Sequence, residues 1–382
     1  MVLNLVCCRK LAPSALPDDE VINHGPIDGL NSAQILKHNL GDQIFCQIFT
    51  VDEGLGPIFV SNSCMNCHAG NGKGNPFSAL TRFGQTDSTG NKFFGMGGPQ
   101  LQNRAIPGYQ PEQILTGATH ATFVPPIVSG MGFIEGVPDS EILAMAYPHN
   151  GISGVPNWNA IPSTITPNPN SICRNGKYIC RIGKKASVYN ILAQDAFAFN
   201  EDLGVTSLYQ PVDAYSRHTV DPEISNDIVN TVSFYIMTLA PSIQRNPDNR
   251  KVKDGNKLFI NIGCEDCHKQ TLTTGYSDIE GLSYKEFHPF TDLLLHDMGP
   301  GLDDGYTEGS ARTAQWRTAP LWGVGLASKS QGNHLFLLHD GRAHSFEEAI
   351  SYHGGEAAQR RSNFNNLSAT DKQTLIAFLQ SL

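Results

Sequence analysis

The chain has 382 residues, of which 40% are hydrophobic, and its formal net charge is −9 at pH 7. This length predicts two or three domains, each with enough chain to bury a core. The acidic balance argues against binding to nucleic acid or to an anionic membrane surface. No run of about 18 uncharged apolar residues is present, so the sequence predicts no membrane-spanning segment.

Residues 1–30 contain Pro and Asp and predict an N-terminal tether rather than a domain. They begin Met1-Val-Leu-Asn-Leu-Val-Cys-Cys-Arg-Lys10, which is too short for a complete export signal. One interpretation is the end of a lipoprotein signal, in which Cys8 is the lipid-bearing residue. The other interpretation is a disordered terminus with two incidental thiols.

Apolar residues at helical spacing predict a series of helices along the rest of the chain. In chain order the predicted helices cover residues 32–51, 138–147, 187–199, 221–239, 254–262 and 368–382. The last begins with a capping-box-like sequence from Ser368 to Asp371. The polar segment 244–251 marks the predicted boundary between an N-terminal domain with insertions, 31–245, and a C-terminal domain, 250–382.

Two copies of Cys-x-x-Cys-His are the most specific feature: Cys64-Met-Asn-Cys67-His68 and Cys264-Glu-Asp-Cys267-His268. This pentapeptide attaches c-type haem, with both thiols on one face of a helical turn and the His as proximal iron ligand. The strongest rival is a zinc site made of the four thiols. A His follows each Cys pair directly, however, so we expect two covalently bound haem c groups.

An entry helix, a haem motif and a closing helix make the layout of a cytochrome c domain. The sequence therefore predicts a mainly α fold with two cytochrome c-like lobes, and 37 Gly and 23 Pro predict long irregular loops. A faint repeat places Phe59 and Phe259 at the same distance before a haem motif. Among the other thiols, Cys173 and Cys180 are candidates for a disulfide, and Cys46 for an inert buried thiol.

Longer motifs occur over residues 40–382. They are Gly54-Leu-Gly-Pro57, Gly98-Pro-Gln-Leu-Gln102, Gly151-Ile-Ser-Gly154, Thr291-Asp-Leu-Leu-Leu-His-Asp-Met-Gly-Pro300, Trp316-Arg-Thr-Ala-Pro-Leu-Trp-Gly323, Leu338-His-Asp-Gly-Arg-Ala343 and His353-Gly-Gly-Glu356. With these motifs the chain resembles the di-haem oxidoreductases, a peroxidase-like family also called thiol oxidoreductases and related to the bacterial di-haem cytochrome c peroxidases. Where the family tends to have an Asp-rich stretch, this chain has Tyr147-Pro-His-Asn150, which leaves a calcium site there doubtful.

The resemblance implies a distal ligand for the second haem. In the peroxidases a Met usually ligates iron fourteen residues after the first His of this arrangement, and counting from His339 leads to His353. A His/His pair lowers the haem potential relative to His/Met. The alternative is that His353 stabilises a helix C-terminus. Met298 is the competing ligand, and Tyr352 is a minor candidate.

The first haem has no distal Met or His at a matching place, and an open sixth position is what peroxide activation needs. His120 and His149 are the alternatives, although such a His is more often structural. Glu135 matches a family glutamate in an apolar stretch, where a raised pKa suits proton shuttling. A capping or salt-bridged Glu is the alternative interpretation.

Four further residues lie in the late motifs. Arg317 and Arg342 are candidates for binding haem propionates as charge-assisted pairs, with surface ion pairs as the alternative. Trp316 and Trp322 are candidates for assisting electron passage, with a place in the core as the alternative.

The sequence thus predicts a di-haem c-type oxidoreductase, periplasmic or anchored to the outer membrane as a lipoprotein. The resemblance implies a small cytochrome or cupredoxin as electron donor, and peroxide or a related small oxidant as substrate. The alternative is a non-catalytic di-haem electron-transfer cytochrome with both irons six-coordinate. A third hypothesis is a haem-bearing lipoprotein that serves iron acquisition.

Overall fold

The computed structural model describes residues 25–84 and 97–382. Most of the predicted tether, with the candidate lipid anchor Cys8, lies outside the described residues. The helices in chain order are α1 (Ser32–Cys46), α2 (Met131–Gly136), α3 (Asp139–Met145), α4 (Ile191–Leu203), α5 (Asn226–Thr238), α6 (Arg250–Asn261), α7 (Ala327–Ser330), α8 (Phe346–Ser351), α9 (Ala358–Asn365) and α10 (Ala369–Ser381). None of the helices within these ranges has the length and apolar character needed to cross a bilayer.

Short strands stabilise the loops between the helices. They are β1 (Ile58–Phe59), β2 (Leu80–Phe83), β3 (Arg104–Ala105), β4 (His120–Phe123), β5 (Asn157–Asn159), β6 (Tyr178–Cys180), β7 (Leu272–Thr273), β8 (Glu286–Phe287), β9 (Leu295–Asp297) and β10 (Gln315–Arg317). They form antiparallel pairs only: β1 with β3, β2 with β4, β5 with β6, β7 with β8, and β9 with β10. The predicted mainly α fold is therefore confirmed.

Capping residues decide where the predicted helices begin and end. Asn190 accepts a hydrogen bond from the Ala193 amide, which starts α4 later than the apolar pattern suggests. Gly204 then ends α4 in the left-handed conformation, with φ of 71°. At the C-terminus, Ser368 accepts from the Asp371 amide, so the predicted cap of α10 is confirmed.

Each lobe is built around one pair of packed helices. In the N-terminal lobe, a Cβ on Gly41 of α1 would lie 2.5 Å from the Tyr235 Cβ of α5. In the C-terminal lobe, a Cβ on Gly255 of α6 would lie 2.7 Å from the Phe378 Cβ of α10. Because glycine at the crossing lets two helix backbones approach closely, the same packing occurs in both lobes. The two predicted cytochrome c-like lobes are thereby confirmed.

The phenylalanines that occupy equivalent positions in the two lobes are not the pair that the sequence suggests. The ring of Phe45 lies 6.2 Å from the His68 ring, and the ring of Phe259 lies 6.3 Å from the His268 ring. Phe45 follows Gly41 by the same spacing as Phe259 follows Gly255. The predicted pairing of Phe59 with Phe259 is therefore wrong, because a longer loop separates α1 from its haem motif.

Two large hydrophobic clusters form the cores. One contains side chains of α1, α2, α4 and α5, and the other contains side chains of α6, α8, α9 and α10. The first cluster also includes Phe287 and Trp322, which follow the predicted domain boundary in the chain. Residues from both sides of the predicted boundary thus pack in one core. The boundary at 245–250 stays a prediction.

The remaining thiols differ from expectation. Cys173 and Cys180 are both free, the first exposed and the second buried, so the predicted disulfide between them is wrong. Backbone hydrogen bonds between Arg174 and Lys177, of 2.9 and 3.0 Å, close the turn between them instead. Cys46 is not an inert thiol, because it forms a disulfide.

Candidate haem sites

The first haem motif folds into one 3-10 turn at Cys64–Asn66, and the His68 amide donates to the Cys64 carbonyl at 3.0 Å. The His68 Nδ1 donates to the Pro126 carbonyl oxygen at 2.9 Å. This bond fixes the tautomer, so the lone pair lies on Nε2, the atom that would bind iron. Burial lowers the pKa of His68 to about 4, which keeps the ring neutral and able to act as a ligand.

The second haem motif repeats this geometry at Cys264–Asp266. The His268 amide donates to the Cys264 carbonyl at 3.0 Å, and the His268 Nδ1 donates to the Phe290 carbonyl at 2.9 Å. Burial lowers the pKa of His268 to about 4. Both motifs therefore present two thiols on one turn and a neutral Nε2 beside them.

The zinc alternative fails on the placement of the thiols. Within residues 25–84 and 97–382, one cluster brings three metal-type donors together, and it consists of Cys267, Asp292 and His296. The four motif thiols therefore do not meet in a tetrahedral site. Both ring nitrogens of His296 are hydrogen-bonded to carboxylates, which leaves that ring no lone pair for a metal.

A cavity of about 300 Å³ borders the second motif, and we call it the second-motif cavity. Most of its lining is apolar, and the described residues that line it include no Asp or Glu. The Lys and Arg side chains in the lining are Lys73, Lys184, Arg317, Arg360 and Arg361. In a chain with a net charge of −9, this wall fits an apolar ligand that carries carboxylates. The propionate groups of a haem have that chemistry.

Both candidate distal ligands of the second haem line this cavity. The His353 Nδ1 donates to the Ala349 carbonyl at 2.9 Å, which leaves Nε2 available, and burial lowers the pKa of the ring. Met298 also lines the cavity, and its backbone lies close to Gly354, where a Cβ would be 2.7 Å from the Met298 carbonyl oxygen. Tyr352 is not among the lining residues. His353 stays the preferred prediction, with Met298 as its rival.

His296 is a residue of this site that the sequence did not single out. It is buried, with Nε2 at 2.8 Å from an Asp292 carboxylate oxygen and Nδ1 at 2.9 Å from a Glu356 oxygen. Burial lowers its pKa, but the hydrogen bonds to Asp292, Cys267 and Glu356 outweigh this and raise the pKa to about 12. The ring is therefore an imidazolium held between two carboxylates.

Residues of two sequence motifs hold His296 in place. Ser153 donates to Glu356 through its amide at 2.8 Å and its hydroxyl at 3.2 Å. A Cβ on Gly154 would lie 2.7 Å from the His296 Nε2, so only glycine fits there. These contacts explain the Gly-Ile-Ser-Gly and His-Gly-Gly-Glu motifs, which were the sequence signal for this cluster.

The structure separates the two candidate arginines. Arg317 lines the second-motif cavity, and its guanidinium donates to the carbonyls of Gly183 at 2.9 Å and Thr318 at 3.3 Å. Arg342 instead bonds carboxylate oxygens of Asp340 at 2.5 Å and Asp304 at 3.4 Å. Arg317 suits the propionate prediction, whereas Arg342 has the ion pairs of the alternative interpretation.

Glu135 accepts a hydrogen bond from the Ile191 amide at 2.7 Å and so caps α4. Burial raises its pKa. Burial also raises the pKa of nearby Asp195 to about 8. Burial raises the pKa of the Cys64 thiol of the first motif, and negative charge on Asp195 raises it further. The position of Glu135 matches the capping alternative, and its role in proton transfer stays a prediction.

The two histidines considered for the first haem lie in different places. His120 is exposed on β4, opposite Phe83. His149 lies beside Asp266 of the second motif, and its Nδ1 donates to the Tyr147 carbonyl at 2.8 Å. Neither position favours a ligand for the first haem, so an open sixth position remains the expectation.

Comparison with known proteins identifies the family. The family model described as "Di-haem oxidoreductase, putative peroxidase" matches residues 111–382. A search of curated protein sequences gives no match.

Among solved structures, the hydrazine synthase of Kuenenia stuttgartiensis is 14% identical over 98% of this chain and 95% of that chain, with a TM-score of 0.39. A MauG-like protein associated with microbial copper homeostasis is 15% identical over 97% and 95%, with a TM-score of 0.41. The diheme peroxidase BthA of Burkholderia thailandensis is 14% identical over 95% and 91%, with a TM-score of 0.43. Because the family model covers more than half of its length, this chain belongs to the di-haem oxidoreductases, a family of haem-dependent redox proteins.

Proposed function

We propose that this chain carries two covalently bound haem c groups, at the first and second motifs. We further propose that it reduces peroxide or a related oxidant at the N-terminal haem with electrons relayed through the C-terminal haem. The observation that carries the proposal is the repeated motif geometry. In both lobes a Cys-x-x-Cys turn stands beside a His whose Nδ1 is bonded to a backbone carbonyl at 2.9 Å.

Haem supplies the one-electron chemistry and the oxygen chemistry that a polypeptide lacks. The residues of the chain bind and orient it. His68 and His268 would supply Nε2 as iron ligands, and the cationic lining of the second-motif cavity would bind the carboxylates of a haem. A ligand from His353 or Met298 would make the second site six-coordinate, which suits electron transfer rather than substrate binding.

Contacts between the two sites support the relay. Pro126 and Ile127 of the N-terminal lobe line the second-motif cavity. The Pro126 carbonyl also accepts the hydrogen bond from the His68 Nδ1. Pro126 therefore both binds His68 of the first motif and forms part of the lining of the second-motif cavity. Trp322 lines the same cavity and belongs to the N-terminal core.

Buried carboxyls near the first motif support proton supply, since reducing a peroxide to water consumes protons as well as electrons. With its pKa raised to about 8 by burial, Asp195 holds a proton at neutral pH. Its Oδ2 atom has no hydrogen-bond partner within the described residues. Burial also raises the pKa of Glu135. Negative charge on Glu135 in turn raises the pKa of Asp195.

The proposal extends to the setting of the protein. Covalent haem attachment takes place outside the cytoplasm, so we place the chain in the periplasm or on the outer membrane, with Cys8 as the lipid anchor. A small cytochrome or cupredoxin would deliver the electrons. Fractionation of the native host, and labelling with a radioactive fatty acid in wild type and Cys8→Ala, test the location and the anchor.

The haem content is tested first, with the full chain produced in a host that matures c-type cytochromes. We expect intact mass and haem staining after denaturation to show two haems. Cys64→Ala with Cys67→Ala, and Cys264→Ala with Cys267→Ala, should each leave one. Cys173→Ala removes an exposed free thiol and is the matched control, with two haems retained. A wild-type protein without covalent haem would overturn the proposal.

Catalysis is tested on the two-haem protein. We expect one ferric or half-reduced state to show high-spin iron, and the reduced protein to consume hydrogen peroxide with repeated turnover. If all iron is low-spin in every redox state and no peroxide is consumed, the electron-transfer alternative replaces the enzyme. The iron-acquisition hypothesis would gain support only from transfer of haem or iron to a partner.

A further inference from the structure

Three basic side chains meet where the N-terminal lobe closes over the second-motif cavity: Lys73, Lys184 and Arg317. All three line that cavity. Lys73 and Lys184 come from the N-terminal half of the chain, whereas the cavity is bordered by the haem cysteines of the C-terminal half. The sequence singled out only Arg317, because nothing in the sequence shows that Lys73 and Lys184 lie beside the second motif.

Lys73 reaches across from the segment that follows the first motif. Its ammonium donates to the carbonyl oxygens of Phe336 at 2.7 Å and Leu338 at 3.2 Å. Leu338 itself lines the second-motif cavity. Burial lowers the pKa of Lys73 to about 7, against an opposing effect of Asp340.

Lys184 lies beside Arg317, whose amide donates to the Lys184 carbonyl at 3.0 Å. The Lys184 ammonium donates no hydrogen bond to any of the described residues. Burial holds the pKa of Lys184 well below its usual range, and the charges of Lys73 and Arg317 lower it further. Asp340 opposes this shift, but that carboxylate already binds Arg342 at 2.5 Å.

Such an arrangement is costly in the absence of an anion. Lys73 and Arg317 donate to backbone carbonyls, but none of the three side chains donates to a carboxylate within the described residues. Burial without an anion disfavours their charged forms, and like charges in one place add to the cost. An anion that enters the cavity would offset that cost with charge-assisted hydrogen bonds.

We propose that Lys73, Lys184 and Arg317 bind the propionate groups of the haem attached at Cys264 and Cys267. This inference rests on the proposed presence of that haem. The second haem is then held by both lobes: the C-terminal lobe supplies the thiols and the proximal His268, and the N-terminal lobe supplies two of the three cations.

The test measures the reduction potential of the second haem in the purified two-haem protein, together with the propionate bands in its resonance Raman spectrum. A cation near a haem stabilises the more negative reduced state. We therefore expect Lys184→Met to shift the one-electron equilibrium about tenfold toward the oxidised haem, or about 59 mV. Lys184→Arg should stay close to wild type. Lys251→Met, at an exposed position on α6, is the matched control and should change nothing.

Titrating the chain that carries Cys64→Ala and Cys67→Ala assigns the signal, because it retains the second haem alone. Lys73→Met should act in the same direction, and Lys73→Arg supplies the charge if the neutral variant fails to fold. Unchanged potential and propionate bands in Lys184→Met, with both haems attached, would overturn the inference. A shift confined to the first haem would overturn it too. A wild type that lacks the second haem would instead disprove the proposed function.

Discussion

The indole ring of Trp316 lies almost parallel to the imidazole of His339, with ring centroids 3.7 Å apart and planes 12° from parallel. Hydrogen bonds fix both rings: the Trp316 Nε1 donates to the Leu302 carbonyl at 2.7 Å, and the His339 Nε2 lies 2.8 Å from an Asp304 oxygen. Both rings line the second-motif cavity. The pair therefore forms a rigid part of its wall.

Trp316→Phe should lower the free energy of unfolding. The Leu302 carbonyl loses its donor, and an unsatisfied buried acceptor costs about 1–3 kcal/mol. Chemical denaturation of the two-haem protein measures the change. Trp158→Phe is the control, because Trp158 is only partly buried and its indole nitrogen makes no hydrogen bond within the described residues. Equal stability of Trp316→Phe and wild type would contradict this account of the stack.

Exchanging the candidate distal ligands should separate them. His353→Met should raise the potential of the second haem, because a thioether ligand favours ferrous iron more than an imidazole does. Met298→Leu should leave its potential and low-spin spectrum unchanged. Redox titration and electron spin resonance of both variants decide the matter. The assignment to His353 fails if Met298→Leu alters the low-spin signal while His353→Met does not.

Gly154→Ala should disturb the cluster around His296. The new methyl group would lie 2.7 Å from the His296 Nε2, so the ring must move away from Asp292 or Glu356. Overpacking of this kind costs about 1–3 kcal/mol of unfolding free energy. Gly301→Ala is the control, since a Cβ there would meet nothing within 4 Å. If both variants are equally stable, the close approach at Gly154 does not matter.

Asp195→Asn should stabilise the protein in a pH-dependent manner. Burial raises the pKa of Asp195 from 3.8 to about 8, so folding takes up a proton between these values. The stability that the protonated carboxyl contributes is fully present below pH 3.8 and is lost as the pH rises through about 8. Because Asn cannot ionise, the Asp195→Asn protein does not lose this stability as the pH rises.

Unfolding free energies at several pH values test this expectation. The advantage of Asp195→Asn should be near zero at pH 4 and should exceed about 1.4 kcal/mol at pH 8, the equivalent of one pKa unit. Asp221→Asn, at an exposed position, should show no such trend. An advantage that does not vary with pH would show that Asp195 is ionised in the folded protein.

Local signals in the sequence were enough to predict six of the ten described helices and both haem motifs, whereas α2, α7, α8 and α9 were missed. Apolar spacing located each long helix, and Ser368 marked the start of α10, because capping depends on residues that are neighbours in the chain. The haem motifs were equally local, since two thiols and a His within five residues define them.

Contacts between distant segments could not be predicted in the same way. The sequence gives no measure of the loop between α1 and Cys64, so Phe59 was matched with Phe259 in place of Phe45. The cations Lys73 and Lys184 become one site only when loops from both lobes meet. His296, Glu356 and Gly154 each stood in a motif, but nothing in the sequence showed that these motifs meet, since Glu356 follows His296 by sixty residues.

The hydrogen bond between His68 and Pro126 has a consequence for how this molecule can change. Pro126 lines the second-motif cavity and accepts the hydrogen bond from the His68 Nδ1, so with both proposed haems bound this one residue would adjoin both sites. A mutation that moves Pro126 would then alter the orientation of His68 and the surroundings of the second proposed haem together. At this residue, therefore, the two proposed sites could not be changed independently.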